Sequence, residues 1–368
     1  MNKLAKTPKG EGMLRRKLLA GASASSLALV LGISQAAAES EKPNLWIELG
    51  AQFEHRGGED APFVPMFTQT FIDQNMVSPL DVQHPPKYSF GGEGSLQYQP
   101  EGWDWKLSAS ILFGRSNGDH HRYQTKTLPP TPKYFPHQPI TSDDLAHYKE
   151  SHAVLDFQAG KDVGLGLFGH SGSSTLNFGV RIAQLSSKES LNAYACPTEL
   201  ISFPPPPAFP IHLEFGIYTV SSRADRNFRG IGPSIRWNGS TPVAGNKDDV
   251  ELAIDWSLQG SALFGRQRAN LHLMTVDNDH YFLPFHGLVN HPITFAVDAK
   301  RARSLVVPNL GGSLALSVKF PNAKISIGYR ADEFFNAMDT GISTRKTSNV
   351  LFHGPFASVS FGFSPFGL

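Results

Sequence analysis

The sequence predicts an all-β fold: an antiparallel transmembrane β-barrel of about ten strands, between about 8 and 12, with short periplasmic turns and long external loops. Three observations carry this. Apolar and polar residues alternate with period two in segments near the ~10 residues that a tilted strand needs to cross a bilayer. The connections between those segments alternate between short and long. The N-terminus has the layout of an export signal.

Lys3, Lys6, Lys9, Arg15, Arg16 and Lys17 precede an apolar stretch from Leu18 to Ile33, and Ala36-Ala37-Ala38 offers a small-residue cleavage site before Glu39. Residues 1–38 therefore read as a cleaved signal peptide and residues 39–368 as a single barrel domain. Arg15-Arg16-Lys17-Leu18-Leu19 is close to a twin-arginine signal, but Leu14 and Leu18 stand where Ser or Thr and Phe are usual. General secretory export fits better, because twin-arginine export moves folded proteins and a folded barrel would expose its apolar band to water. Met13 is an alternative start that leaves a conventional short signal.

The alternating segments begin at residues 45–54, where Leu45, Ile47, Leu49, Ala51 and Phe53 oppose Trp46, Glu48, Gly50, Gln52 and Glu54. Residues 88–99 and 103–114 follow, joined by a tight turn at Pro100-Glu101-Gly102. Further segments cover residues 153–163, 175–185, 227–238, 250–264, 309–320, 324–333 and 352–363; the last places Ala357, Val359, Phe361 and Phe363 toward lipid. Short connections are expected at 100–102, 164–174, 239–249 and 321–323, and long ones at 55–87, 115–152, 187–226, 265–308 and 334–351. A soluble β-sandwich seldom needs so many long loops, and its outer face would be charged rather than rich in Gly and Ser. Pro129, Pro130, Pro132 and Pro204 to Pro207 make stiff stretches that cannot add strands to a sheet.

Composition agrees. Charged residues are 18% of the chain, below the ~25% usual in soluble domains. Beyond the first forty residues no apolar run reaches the ~18 residues of a membrane helix. Removing the signal takes six of the 33 basic and one of the 32 acidic residues, leaving 27 against 31, a net charge of −4. Nothing points to nucleic acid as a partner. Cys196 is the single cysteine, so no intrachain disulfide staples the fold. The five tryptophans, Trp46, Trp103, Trp105, Trp237 and Trp256, fall within strands, several at their ends, as an interfacial girdle requires.

Motifs for chemistry fail on context. Gly164-Leu165-Gly166-Leu167-Phe168-Gly169 matches a dinucleotide fingerprint, but an alternating strand follows where the fingerprint needs a helix. Asp119, His120 and His121, with His280, His286 and His291, lack zinc-site spacing and read as solvated loop residues. Ser151 and His152 are adjacent and would point to opposite faces of a strand. Asn238-Gly239-Ser240 reads as a turn. No catalytic, cofactor-binding or metal-ligating residue is assigned, no cofactor is expected, and an enzyme is not the expected class.

The face opposite the apolar stripe should line the lumen. Gly91, Ser95, Ser108, Ser110, Gly179, Gly232, Ser257, Ser313, Ser317 and Gly328 on it are small and would leave a wet channel. The charges expected to line that pore are Glu48, Glu93, Asp104, Lys106, Asp156, Arg181, Arg236, Glu251, Asp255, Lys319, Arg330 and Asp332. They either form salt-bridge networks that stabilise the interior or set ion selectivity. Seven are acidic and five basic, a weak lean toward cations.

Asp156 to Gly166 with the preceding Glu150-Ser151-His152, Val306 to Gly312, Ala323 to Asp332 and the closing His353-Gly354-Pro355-Phe356 resemble the Legionella-type major outer membrane protein family, in order, over more than half of the mature chain. The resemblance implies a pore-forming outer-membrane barrel that forms oligomers, with Cys196 in an external loop available to link them. The chain departs from the usual barrel ending, an aromatic residue, in that Ser364 to Leu368 follow Phe363. The expectation is thus a Gram-negative outer-membrane porin: a water-filled channel for passive diffusion of small hydrophilic solutes and ions, with weak cation preference. The alternative is a surface adhesion or binding barrel acting through its long loops. The implied partners are outer-membrane lipid and lipopolysaccharide, the barrel-insertion machinery, the solutes or ions themselves, and further copies of the chain.

Overall fold

The computed structural model describes residues 44–57, 88–127, 134–135, 139–164, 173–197, 200–202, 212–246, 249–283, 287–341 and 344–363. These residues form twelve strands: β1 (Leu45–Gly57), β2 (Tyr88–Tyr98), β3 (Trp105–Thr127), β4 (Tyr134–Phe135), β5 (Pro139–Asp162), β6 (Ser173–Pro197), β7 (Leu200–Ser202), β8 (His212–Gly245), β9 (Glu251–Leu283), β10 (Gly287–Phe320), β11 (Ala323–Asp339) and β12 (Thr347–Phe363). Every pairing is antiparallel. The circuit β1, β2, β3, β5, β6, β8, β9, β10, β11, β12 returns to β1, so ten strands close a barrel with no free edge. The short β4 and β7 lie off that circuit, β4 paired to β7 and β7 to the start of β8.

The period-two pattern decides which way each side chain points. Leu49, Phe113, Phe157, Phe178, Leu258, Leu310 and Ile327 face outward and are more than half exposed, while Gln52, Glu54, Asp156, Arg181 and Asn309 face inward and are buried. An apolar band that encircles a closed barrel in this way is the surface of a protein that spans a lipid bilayer. Four tryptophans mark one border of it. Trp103 and Trp105 follow the short turn at 100–102, Trp105 as the first residue of β3, and Trp237 meets Trp256 edge to face with centroids 4.8 Å apart, near the turn between β8 and β9. Trp46 stands at the same end but shares the inward parity of Glu48.

The turn at 100–102 is present, with Gly102 at φ +72°, and so is the one at Pro321-Asn322. Elsewhere the strands run further than expected. Most of 115–152, 187–226 and 265–308 is strand rather than loop: β8 and β10 have 34 residues each and β9 has 33. At ~3.3 Å per residue these reach roughly 110 Å, several times the ~30 Å hydrocarbon core. Backbone pairing does not depend on side-chain polarity, so the ladders continue after the outward residues turn from apolar to polar, where the amphipathic signal ends. Cys196, expected in a loop, has its backbone in β6 opposite Thr141.

The connection expected at 239–249 shrinks for the same reason. Asn238, Gly239 and Ser240 lie in β8, which continues to Gly245 through a register shift between Pro242 and Ala244. Likewise β11 and β12 leave only 340–346 between them. Gly164 closes β5 with φ +67° and donates its N–H to Asp162 Oδ1 at 2.8 Å. The rest of that glycine motif, residues 1–43 with the expected signal peptide, residues 58–87 and the proline-rich stretches lie outside the described residues.

Two inward glycines expected to widen the lumen have another role. A Cβ at Gly179 would strike the carbonyl oxygen of Phe157, and one at Gly232 the carbonyl oxygen of Ala262, each on a neighbouring strand. The concave face of a small barrel crowds these positions, and glycine allows the backbones to approach. Gly179→Ala and Gly232→Ala should each cost about 1–3 kcal/mol through overpacking, read as a lower temperature of the heat-dependent gel shift; an unchanged shift would show that the wall can yield.

Candidate functional site: the barrel interior

The inward parity of ten strands brings the polar faces together around one axis, and the interior is layered along it. In the half nearest the short turns lies a cavity of about 360 Å³. Ser95, Ser108, Ser240, Ser257, Ser313, Ser326 and Ser358 line it, together with eleven charged side chains. The hydroxyls of Ser326 and Ser358 are buried in this wall and have no hydrogen-bond partner among the described residues.

Of the twelve charges read from the sequence, Glu48, Glu93, Lys106, Asp156, Arg181, Arg236, Asp255, Lys319, Arg330 and Asp332 line this cavity. Glu251 joins them through Lys319 Nζ, 3.5 Å from its Oε1. Asp104 does not. It precedes β3 in the turn, its side chain 74% exposed, and its Oδ2 accepts from Lys161 Nζ at 2.8 Å on the outer rim. That hydrogen bond and the nearby positive charge hold the Asp104 carboxyl below its ordinary range. The pair therefore persists above the usual carboxylate pKa and is lost as pH falls through the lowered one.

Lys324 is the wall charge that sequence reasoning missed, although it shares the parity of Ser326, Gly328 and Arg330. Its Nζ lies 3.3 Å from Asp255 Oδ2 and 3.8 Å from Glu48 Oε2. With Asp104 outside and Lys324 inside, the wall of this chamber carries six acids and six bases. The acidic excess that suggested cation preference is gone.

Above the cavity these charges interlock. Arg181, 2% exposed, grips Asp156 with two parallel bonds, Nε to Oδ1 at 2.7 Å and Nη2 to Oδ2 at 2.8 Å. Its remaining donors reach Asn309 Oδ1 and, at 2.8 Å, Gln259 Oε1. Arg236 Nη2 donates to Asp156 Oδ2 at 2.8 Å and to Gln259 Oε1 at 3.0 Å. Gln259 Nε2 passes the chain on to Asp332 Oδ1 at 2.5 Å. Arg330 pairs with Glu93 and lies 4.8 Å over the Phe356 ring. Buried charges persist when each is paired and hydrogen-bonded, and this bracket meets that condition across β2, β5, β6, β8, β9, β10 and β11.

Directly beyond the bracket the lumen is filled. Leu112, Val154, Leu185, Phe228, Leu263, Leu305, Val307, Phe334, Ala337, Met338, Val350 and Phe352 pack as one apolar cluster fed by eight of the ten barrel strands. Phe228, Leu263 and Val307 are 0% exposed and Phe334 1%, so water does not reach them. This corrects the expectation of a wet channel along the whole axis. The signal was present as apolar residues on both faces, as in Ile111-Leu112-Phe113 and Val154-Leu155. β11 supplies much of the closure: its register shifts between Phe334 and Met338, with Asn336 at φ +57°. Gln267 Nε2 holds the displaced segment by donating to Ala337 O at 2.9 Å. Asp339 ties the following turn to β10 through Arg301 Nε at 3.0 Å.

The chemistry-bearing residues fall into structural pairs. His152 is inside the barrel with its Nε2 3.2 Å from Glu54 Oε1, and Ser89 Oγ donates to Glu54 Oε2 at 3.1 Å. The carboxylate lies between Ser89 and His152, so the serine does not contact the imidazole as a nucleophile pair requires. Ser151 faces the other way, and His121 bonds Asp143 while His147 bonds Asp119, each pair bridging β3 and β5. Among the described residues no group of three His, Cys, Asp or Glu side chains converges on a metal position. The side chains of His120, His280 and His291, and all of His286, lie outside the described residues.

The fold and this interior define a closed, ten-stranded, membrane-spanning β-barrel with a polar chamber and an apolar closure. No protein family and no curated protein matches the chain. Among solved structures, a mutant of the monoaromatic hydrocarbon channel TodX is similar at TM-score 0.23 and 10% identity over 88% of this chain and 91% of that one. The Ralstonia pickettii toluene transporter TbuX follows at 0.22 and 10%, over 88% and 90%. The transport unit of the Escherichia coli autotransporter AIDA-I gives 0.19 and 7%, over 93% and 98%. Likeness this slight assigns nothing; the barrel stands on its own strand pairings.

Proposed function

We propose that the protein is a Gram-negative outer-membrane channel through which small hydrophilic solutes and ions diffuse passively, with the apolar layer as its narrowest point. The observation that carries this reading is the chamber of about 360 Å³ walled by serines and charged side chains, a lining suited to hydrated solutes rather than to a packed core. The export signal and the resemblance to the Legionella-type major outer membrane protein family support it. An apolar constriction gates by excluding water, so conductance should be small and intermittent rather than that of a wide pore. With six acids facing six bases, permeation should discriminate little between cations and anions.

Recording from purified protein in planar bilayers tests this: discrete steps with a reversal potential near zero in a salt gradient are expected. Lys106 lines the chamber without an ion-pair partner among the described residues. Lys106→Glu should therefore shift the reversal potential toward cations, and an unchanged potential would remove it from the path. The apolar closure favours a second reading, a sealed barrel acting through its long external strands. Absence of steps both from the native chain and from a variant with the layer cut away would leave that reading in place.

A further inference from the structure

The outward face changes character in a single step on the side away from the short turns. Ile231, Phe264 and Val306 are opposite one another on β8, β9 and β10, apolar and about half exposed. The next outward row is Gln184, Arg229, Arg266 and Ser304 on β6, β8, β9 and β10, and all four are exposed. Arg229 and Arg266 are direct cross-strand partners. One row further, Arg268 faces Asn227 and Ala302, again exposed.

Directly opposed like charges have Cβ atoms ~5 Å apart and destabilise a sheet unless a counterion lies between them. No carboxylate stands in either row on β6, β8, β9 or β10. Arg229, Arg266 and Arg268 have no ion pair or hydrogen bond among the described residues, whereas the arginines inside the barrel are bracketed. Two guanidinium forks side by side match the oxygens of a phosphate, with Gln184 and Ser304 as flanking donors. Their position fixes the height of that phosphate: one outward row, two residues, beyond the apolar band, where lipid headgroups meet the acyl chains.

We propose that Arg229, Arg266 and Arg268 form a binding site for the phosphorylated headgroup of an outer-leaflet glycolipid, lipid A in chemical type. The inference rests on the outer-membrane reading above, because it takes the long-strand side as the external one. The lipid supplies the anion that the opposed arginines lack, and it holds β8 and β9 together at the membrane border.

The test uses the full barrel in detergent, mixed with lipid A, with lipid A stripped of its phosphates, or with inorganic phosphate, and counts lipid retained per barrel by native mass spectrometry after washing. Native protein should retain phosphorylated lipid A and lose the dephosphorylated form. Arg229→Gln/Arg266→Gln should lower retention at least tenfold, while Arg223→Gln, three outward rows further along β8, should leave it unchanged. Equal retention by the double variant, equal retention of dephosphorylated lipid, or competition by millimolar inorganic phosphate as strong as by lipid A would overturn the site. A heat-dependent gel shift on each variant keeps the outcomes separate. Loss of retention with the shift intact locates the lipid at these arginines, and absence of the shift in the native protein sinks the barrel reading instead.

Discussion

Asp156→Leu should destabilise the barrel by about 3–5 kcal/mol, because it removes the one carboxylate that both Arg181 and Arg236 hold and leaves the buried Arg181 and the half-buried Arg236 without it. Arg181 has little recourse: it is 2% exposed, and its other partners are the neutral Asn309 and Gln259 and a carboxylate oxygen of Asp332 at 3.8 Å. Unfolding in urea followed by the gel shift measures the loss. The contrast that identifies the cause is a triple replacement, Asp156→Leu with Arg181→Met and Arg236→Met. Taking out the whole set leaves no uncompensated charge and should recover most of the stability, since well-packed apolar substitutes for buried ion pairs are often neutral. If the single variant were as stable as the native chain, the bracket would be decoration. From sequence alone the same residue could belong to a stabilising salt-bridge network or set ion selectivity, and its geometry makes it a structural clamp.

Cutting the apolar layer should have the other large effect. Phe228→Ala with Phe334→Ala removes two rings that water does not reach, one on β8 and one on β11. Each truncation costs about 3–5 kcal/mol where the space stays empty. Here the space would join the polar chamber below and fill with water, which lowers the cost and opens a path. Single-channel conductance should rise severalfold and lose its intermittency, with the reversal potential still near zero. Arg301→Gln, which releases Asp339 and the turn after β11, should raise the open fraction without raising the step size, because it loosens the segment that closes the lumen while leaving both rings in place. Equal conductance in all three proteins would mean that the closure is elsewhere.

The barrel and its inward residues were legible in the sequence because lipid and lumen impose opposite polarity on alternate positions. Leu49 against Gly50, Phe157 against Asp156 and Ile327 against Gly328 show it directly. The same rule has a limit at the membrane border. Beyond Ile231 on β8 and Phe264 on β9 the outward residues become Arg229 and Arg266, the contrast fades, and the continuing ladder reads as loop. Backbone hydrogen bonding between strands leaves no polarity signature, so the length of β8, β9 and β10 could be seen only once their partners were placed.

Alternation determined that Asp156, Arg181, Arg236, Gln259 and Asp332 point inward, and a single chain can say no more than that about them; Phe334 fell in an expected loop, and only the extension of β11 to Asp339 turns it into the lumen. Their meeting was decided in three dimensions. Asp156 and Arg181 are adjacent across β5 and β6, whereas Asp332 arrives from a strand more than 150 residues later along the chain. Closure of the sheet on itself brings them within hydrogen-bond reach. Whether an inward face encloses water or packs shut depends on side-chain volume summed around the circumference, strand by strand, and no local pattern carries that sum. The sequence therefore specifies a barrel with a polar interior, and the tertiary structure divides that interior into a chamber, a clamp of charges and an apolar seal.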